Sequence, residues 1–286
     1  MNNKSHLKKC RVCDEKLNKM KYIKGEVTGD NITLYKCNNC KSYFSNIEFR
    51  KQLFSEFSEG SIDVYNNKNS VFKRVEDILS YSLVKNWLPS NDINFLDIGC
   101  GVGWSLLIAK EKGFNAYGIE PMKIAADYGN DILNVNIYNS LFKSDIFNEK
   151  KFDFIMMDQV LEHVPNPLEI IVDAFRLLKP GGVFFLAVPP LDWSRIWLSM
   201  SYQFSRKFIT YLDKAKYLSR LILLARKYDT FLFPEGHINY FSTQAIEILS
   251  EHCNAELIEQ YHIDRKRSKY FPFLKLSTGS FFLRKK

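Results

Sequence analysis

The stretch FLDIGCGVG, residues 95–103, combines an acidic side chain with a glycine-rich turn. Its glycines lie at alternate positions, at Gly99, Gly101 and Gly103. Glycine lets the backbone turn tightly and approach a ligand closely, and the helix that we expect from Trp104 offers free N–H groups in its first turn. A second carboxylate, Glu120, closes the next apolar run. Asp97 suits a cationic amino group, and Glu120 suits ribose hydroxyls.

The spacing of these residues separates two kinds of nucleotide cofactor. A dinucleotide fingerprint has the form G-x-G-x-x-G and places a pyrophosphate at the helix N-terminus. This chain has G-x-G-x-G, with Trp104 in place of the third dinucleotide glycine, and Asp97 would repel a pyrophosphate. S-adenosylmethionine carries an amino group and a ribose but no phosphate, and it fits better. An ordinary tight turn between a strand and a helix is the alternative.

Several further motifs follow in a fixed order: GIEPM at 118–122, SDIF at 144–147, FDFIMMDQVLEHVPNP at 152–167 and LLKPGG at 177–182. Together with the glycine turn, they resemble the class I S-adenosylmethionine-dependent methyltransferases, strongly over about residues 90–190 and more weakly over the C-terminal part. The resemblance implies an α/β fold: a Rossmann-like sheet of seven strands, the last one antiparallel, with helices on both faces.

The resemblance also implies a role for each residue that matches a family motif. Asp97 and the turn Gly99–Gly103 would hold the methionine part of the cofactor, and Glu120 would accept from both ribose hydroxyls. The other implied contacts are Pro121 and Met122 at the adenine face, Asp145 and Ile146 at the adenine amino group, and Asp158 and Gln159 at the methionine end. For Asp145, a helix cap or turn aspartate is the alternative.

Two histidines are the candidates for catalytic proton transfer. Methyl transfer to a hydroxyl or an amine needs a base for the acceptor's proton, and histidine ionises near neutral pH. His163 follows the fourth strand in DQVLEHVPNP; the alternative is a histidine that only fixes this loop through hydrogen bonds. His237 opens the motif HINYFS, and the resemblance implies that a histidine at this place returns to the active-site mouth.

Four cysteines near the N-terminus form two C-x-x-C turns. They are Cys10, Cys13, Cys37 and Cys40. Two such turns match a tetrahedral structural zinc site, and the segment between them alternates apolar and polar residues, which is typical of a β-hairpin. We therefore expect a zinc-ribbon-like unit whose closed four-sulfur site stabilises the fold. Disulfides or free thiols are the alternatives, and a cytosolic setting disfavours disulfides.

The order of the elements predicts five regions. They are a zinc-ribbon-like domain at 1–45, a helical lead-in at 46–90, the cofactor-binding core at 91–190, a helical lid insertion at 191–236 and the C-terminal completion of the core sheet at 237–286. Alternating strands and helices in the core are typical of βαβ units. The insertion, rich in aromatic and basic residues, predicts amphipathic helices above the ligand edge; a dimer contact or a membrane-surface patch is the alternative.

Bulk composition bounds the class of protein. The 286 residues are 46% hydrophobic, enough for one large domain and a small one. No apolar run is long enough to cross a bilayer, and the polar, basic start does not resemble a secretory signal, so we expect a cytoplasmic protein. The net charge of +8 is concentrated at the two ends. It indicates solvated surface charge, with nucleic-acid binding as the alternative.

The methyl acceptor is the least constrained prediction. Methyltransferases of this class that act on nucleic-acid amino groups carry an N/D-P-P-Y motif after the fourth strand. This chain has Asp158-Gln159-Val160-Leu161 at that place, which argues against methylation of a base amino group. The favoured acceptor is a small molecule (a sugar, a lipid-linked glycan or a secondary metabolite) methylated at O or N, and the enzyme could be a homodimer. An RNA methyltransferase that uses the ribbon and the basic ends is the alternative. A non-catalytic scaffold with the same fold is the third hypothesis.

Overall fold

The computed structural model describes residues 7–24, 31–46, 68–189, 191, 237–261 and 279–286. The predicted lid at 191–236 lies outside the described residues except for Leu191, and the lead-in is described only from Lys68. No helix within the described ranges is long and apolar enough to span a membrane.

A small antiparallel sheet forms the N-terminal part of the molecule. Its strands are β1 (Leu17–Lys24), β2 (Asn31–Cys37), β3 (Tyr43–Ser45) and β9 (Asn239–Tyr240). They pair in the order β1-β2-β3-β9. The first two strands form the expected hairpin, with Leu17 opposite Cys37. The fourth strand comes from the HINYFS motif, so a segment nearly 200 residues away in sequence completes the sheet of the cysteine-bearing unit.

The central sheet contains seven strands in the described part of the chain. They are β4 (Asn94–Ile98), β5 (Asn115–Ile119), β6 (Ile137–Tyr138), β7 (Phe152–Asp158), β8 (Leu178–Ala187), β10 (Ala255–Tyr261) and β11 (Ser280–Lys285). Their spatial order is β10-β11-β8-β7-β4-β5-β6. β11 runs antiparallel to both of its neighbours, and the pairings from β8 to β6 are parallel. This confirms the predicted α/β sheet with an antiparallel last strand.

Helices cover both faces of the central sheet. They are α1 (Lys68–Val84), α2 (Trp104–Glu111), α3 (Lys123–Asp131), α4 (Pro167–Leu177) and α5 (Thr243–His252). Successive residues of a strand point to opposite faces, so Phe95 and Phe154 join the core under α1 and α2, whereas Leu96 and Ile155 join the core under α4 and α5. The N-terminal sheet and its two cysteine turns (the ribbon, residues 7–24 and 31–46) pack on the core under α4 and α5.

The topology brings three acidic side chains to one edge of the sheet. β4, β5 and β7 are parallel neighbours or near neighbours, and their carboxyl ends carry Asp97, Glu120 and Asp158. Ligands of open α/β sheets bind at this edge. The fold therefore gathers the predicted cofactor residues where a ligand site is expected.

Candidate cofactor site and histidine cluster

The backbone of the glycine turn has a conformation that residues with a Cβ atom adopt only with strain. Gly99, Gly101 and Gly103 have φ of 77°, 54° and 86°, all in the left-handed region. A Cβ on Gly99 would also lie 2.4 Å from Cγ2 of Val160. The turn is fixed to the neighbouring strand by a hydrogen bond from Gly99 N to the carbonyl oxygen of Ile119, at 2.8 Å. Glycine at position 99 is therefore required by conformation and by space.

Asp97 is a buried carboxylate beside this turn. Its exposed fraction is 3%, and the hydroxyl of Ser105 on α2 donates a hydrogen bond to its Oδ2. Burial raises the pKa of Asp97 to about 7, with the charges of Asp158 and Glu120 adding to the rise and the Ser105 hydrogen bond opposing it. A buried carboxyl whose charge is so poorly compensated is suited to a cationic ligand group.

Glu120 is oriented by backbone N–H groups. Its Oε2 accepts from Gly101 N at 3.0 Å and its Oε1 from Met122 N at 2.9 Å. Burial raises its pKa, and these two hydrogen bonds oppose the rise. Each carboxylate oxygen can accept more than one hydrogen bond, so Glu120 retains capacity for two hydroxyl donors. Asn139 donates to the backbone carbonyls of Glu120 and Pro121, which holds the strand end in place.

The other predicted cofactor residues lie along the same edge. Met122 is buried against Val102 and Trp104 in a small apolar cluster at the start of α3, next to half-buried Pro121. Asp145 is exposed and Ile146 is half-buried; both belong to the 3₁₀ turn Ser144–Phe147. Asp158 ends β7, and exposed Gln159 follows it with φ of 59°. Their contacts with a cofactor stay predictions.

Arg74 of α1 is a residue of this edge that the sequence analysis missed. Its Nη2 lies 2.6 Å from Oδ1 of Asp158, and its buried Nε has no hydrogen-bond partner among the described residues. Burial raises the pKa of Asp158, and the Arg74 guanidinium opposes this. The sequence marks Arg74 only as a polar position on an amphipathic helix. Its contact lies 84 positions away along the chain.

The two predicted histidines meet around a buried glutamate. The ring centres of His163 and His237 are 4.7 Å apart in an edge-to-face arrangement. Their Nε2 atoms lie 3.9 and 4.0 Å from Oε1 of Glu162. Glu162 is 1% exposed, and neither carboxyl oxygen has a hydrogen-bond partner in the described structure. The motif LEHVPNP contained this third member, but its burial was not predicted.

Burial shifts the protonation of this cluster. It raises the pKa of Glu162 to about 8, with the charge of Asp158 adding to the rise. It lowers the pKa of His237 to about 3, and His163 adds to that fall. Near neutral pH, Glu162 therefore holds a proton and His237 is uncharged. The side chain of His163 is 39% exposed, compared with 15% for His237 and 1% for Glu162, so His163 is the member of the cluster most accessible to a ligand.

The donor atoms of the four N-terminal cysteines fit a zinc ion. The Sγ atoms of Cys10 and Cys40 are 3.5 Å apart, as are those of Cys13 and Cys37, and all four lie within 4.8 Å of one another as free thiols. Sulfurs at 2.3 Å from one tetrahedral Zn²⁺ are ~3.8 Å apart. Burial raises the pKa of Cys37 to about 11, so metal binding here would release protons.

The histidine cluster fits a metal less well in this conformation. Nitrogen and oxygen ligands about 2.1 Å from one tetrahedral ion lie ~3.4 Å apart. The His163 and His237 nitrogens are 3.9 and 4.0 Å from the Glu162 oxygen. The spacing is wider than a shared tetrahedral ion requires, and it also exceeds hydrogen-bond length, so neither histidine nitrogen is hydrogen-bonded to Glu162.

The fold and the donor groups fit S-adenosylmethionine. A buried carboxyl, a glycine turn and a second carboxyl with spare acceptor capacity suit an ammonium group and a ribose, and they oppose a phosphate. The fold and site thus define a class I S-adenosylmethionine-dependent methyltransferase. A family model described as "Methyltransferase domain" matches residues 68–260, and the chain belongs to this family.

Individual relatives match over part of their length. The mitochondrial ubiquinone biosynthesis O-methyltransferase of Dictyostelium discoideum is 25% identical over 181 residues, which cover 56% of this chain and 52% of that protein. The ubiquinone biosynthesis O-methyltransferase of Actinobacillus pleuropneumoniae serotype 7 is 34% identical over 102 residues, covering 32% of this chain and 44% of that protein. The chain spans about half the length of the curated relatives it matches.

One solved structure is similar over most of both chains. The crystal structure of the plantazolicin methyltransferase BpumL, in complex with a monoazolic desmethylPZN analogue and SAH, covers 82% of this chain and 93% of its own, with a TM-score of 0.52 and 16% identity. At this level of identity the likeness shows the fold alone.

Proposed function

We propose that the protein transfers a methyl group from S-adenosylmethionine to a hydroxyl group of a small molecule. The observation that carries this is the pair of buried carboxyls, Asp97 and Glu120, on either side of a left-handed glycine turn at the carboxyl edge of the sheet. The named O-methyltransferase relatives support oxygen as the methylated atom. A sugar, a glycan or another metabolite is the acceptor class, and RNA stays the alternative prediction.

The chain's own residues bind the two charged ends of the cofactor. Asp97 receives the ammonium of the methionine part, because it is a buried carboxyl without a cationic partner in the described residues. Glu120 accepts from the ribose hydroxyls, and Asp145 and Ile146 lie toward the adenine. Arg74, which is ion-paired with Asp158 at 2.6 Å, is the cationic side chain at the methionine end and suits the carboxylate of the cofactor. The cofactor supplies an electrophilic methyl group, and the protein aligns the acceptor and excludes water.

The acceptor's proton is removed at the histidine cluster. An acceptor reaches His163 before the less exposed His237. Because it is the more exposed of the two histidines, His163 takes the hydroxyl proton. His237, with its pKa lowered to about 3 by burial, is a weak base near neutral pH, and its ring packs against the His163 ring. We propose that zinc in the four-cysteine site has a structural role, because four sulfur ligands close the tetrahedron.

Binding and transfer assays test this proposal separately. Calorimetry with S-adenosylhomocysteine tests the cofactor site, with Asp131→Asn, an exposed change at the end of α3, as the control for Asp97→Asn. A transfer assay follows labelled methyl from S-adenosylmethionine into hydroxylated sugars, phenols and metabolite extracts, and compares them with acceptors whose hydroxyls are already methylated. Absence of cofactor binding, or methyl transfer to RNA but to no small molecule, would contradict the proposal.

A further inference from the structure

We propose that Asn239 is a positioning residue for the histidine cluster, and that it connects this cluster to the cysteine-bearing ribbon. This inference rests on the proposed function, because it treats His163 as the base for methyl transfer. Asn239 is fully buried in the two-residue strand β9, two residues after His237.

The side-chain amide of Asn239 clamps both ends of the turn that carries His163. Its Nδ2 donates to the carbonyl oxygens of Leu161, at 3.1 Å, and Val164, at 2.7 Å. Between these carbonyls lie Glu162 and His163, the two members of the cluster on this turn. The backbone N–H of Ile238 donates to the carbonyl oxygen of Glu162 at 2.9 Å. Every carbonyl from Leu161 to Val164 except that of His163 is therefore bound by the segment 238–239.

The bonds from Asn239 supplement the few hydrogen bonds that the turn makes itself. Leu161–His163 is a 3₁₀ turn of three residues, and hydrogen bonds within such turns have poor geometry. One of them, from Val164 N to the carbonyl oxygen of Leu161, is 3.4 Å long. The other, from His163 N to the carbonyl oxygen of Val160, is 2.9 Å long. The two external bonds from Asn239, at 3.1 and 2.7 Å, add to these. They fix the direction in which the turn presents the His163 ring.

The acceptor oxygen of the same amide is bound by the ribbon. Arg11 stands between Cys10 and Val12 in the first C-x-x-C turn. Its Nη1 donates to Oδ1 of Asn239 at 2.9 Å and to the carbonyl oxygen of Ile238 at 2.8 Å. Asn239 thus uses both amide donors toward the catalytic turn and its acceptor toward the metal-binding turn. This division of its bonds makes it the junction between the two.

Further contacts hold β9 against the ribbon. Tyr43 pairs with Tyr240 and Phe44 with Asn239 in the β3–β9 ladder. The Ser242 hydroxyl donates to the carbonyl oxygen of Cys40. His237 is fixed from the same side, because its carbonyl oxygen accepts from Ser45 Oγ at 3.4 Å and from the Tyr240 hydroxyl at 3.0 Å. An intact ribbon therefore places His237 as well as the turn of His163.

The test separates the two sides of the amide. Asn239→Asp keeps an acceptor for Arg11 but cannot donate to Leu161 and Val164, whereas Arg11→Met removes only the ribbon side. Asn130 provides the matched control, because its amide also clamps a backbone, donating to and accepting from Ile137 at 2.9 and 2.8 Å. Ile137 lies in the edge strand β6, three strands away from β7 in the sheet. The variants are compared for kcat, KM, cofactor affinity, zinc content and amide hydrogen exchange.

We expect Asn239→Asp to lower kcat about 100-fold, the loss that a displacement of about 1 Å causes at a reacting group. Its affinity for S-adenosylhomocysteine stays within twofold of wild type, and the amides of His163 and Val164 exchange faster. Arg11→Met gives a smaller loss of the same kind. Asn130→Asp leaves kcat and the exchange at His163 unchanged.

A wild-type kcat with unchanged exchange at His163 in folded Asn239→Asp would overturn the inference. So would a loss shared equally by cofactor affinity and kcat, because that indicates general destabilisation. If Asn239→Asp does not fold, the same measurements of kcat, cofactor affinity and amide exchange on Arg11→Met test the inference. If the wild-type protein transfers no methyl group, the proposed function fails, while the exchange of His163 and Val164 still tests the clamp.

Discussion

Replacing Asp97 by Asn tests whether a buried negative charge receives the ammonium of the cofactor. Asn keeps the shape and can still accept the Ser105 hydroxyl, but it cannot ionise. Loss of a hydrogen bond to a charged group costs about 1.5–3 kcal/mol. Since each 1.36 kcal/mol corresponds to a factor of ten, we expect the variant to bind S-adenosylhomocysteine roughly 10- to 150-fold more weakly at pH 7.5.

The pH dependence of cofactor binding gives a second quantitative prediction. The ligand binds the ionised form of Asp97, whose pKa is raised to about 7 by burial. Each pH unit below 7 therefore weakens wild-type binding by about tenfold, or 1.4 kcal/mol. Above pH 7 the dependence levels off, because Asp97 is then ionised. The Asp97→Asn variant lacks this slope, and the two proteins converge near pH 5.5.

As pH rises toward 7, the contribution of Asp97 to the stability of the ligand-free protein falls, whereas the affinity for the ligand rises. Between pH 3.8 and 7 the folded state holds a proton on Asp97 that the unfolded chain has already lost, so this group's contribution to stability falls as pH rises through that window. Asp97→Asn removes the penalty, and its ligand-free Tm at pH 8 should equal or exceed that of wild type.

Titration calorimetry between pH 5.5 and 8, in buffers of different ionisation enthalpy, measures affinity and proton release together. The exposed Asp131→Asn variant is the control. Wild-type affinity that does not change between pH 5.5 and 7, or a slope of equal size in Asp97→Asn, would refute the reasoning.

Two further substitutions test the glycine turn and the cysteine site. Gly99→Ala combines a left-handed φ with a Cβ 2.4 Å from Val160, whereas Gly113→Ala has the same kind of φ with no atom within 4 Å. We expect Gly113→Ala to lower the free energy of unfolding by about 1–2 kcal/mol and Gly99→Ala to lower it by more. Equal losses in the two variants would show that the Val160 contact is unimportant. Cys37→Ser should remove bound zinc and lower Tm, with Cys253→Ser as the control outside the cluster. Metal analysis of fresh, reduced wild-type protein that finds no zinc contradicts the second prediction.

The sheet could be predicted because its signals are local. Apolar runs, glycine turns and motif order identify each parallel strand within a short window, and the strands at Asn94–Ile98 and Phe152–Asp158 lie where the pattern puts them. The strand β6 is harder to read from the sequence, because it has only two residues, Ile137–Tyr138. Asn134 takes a left-handed φ of 51°, which interrupts the extended backbone just before the strand.

The parts that escaped prediction depend on contacts between distant segments. Arg74 reaches Asp158 only because α1 folds over the end of β7. Glu162 belongs to the motif whose chemistry was expected of its neighbour His163, and its burial results from packing. Asn239 belongs to a strand of two residues that pairs with the ribbon rather than with the central sheet. A strand this short leaves no alternation to detect.

The most direct measurement of the central claim is a crystal structure with S-adenosylhomocysteine, grown with a competing dinucleotide in the same drop. The account predicts the nucleoside at the glycine turn, with its ribose hydroxyls within hydrogen-bonding distance of the Glu120 carboxylate and its amino group at Asp97. A turn that stays empty at saturating ligand, or one that holds the phosphates of the dinucleotide instead, would contradict it.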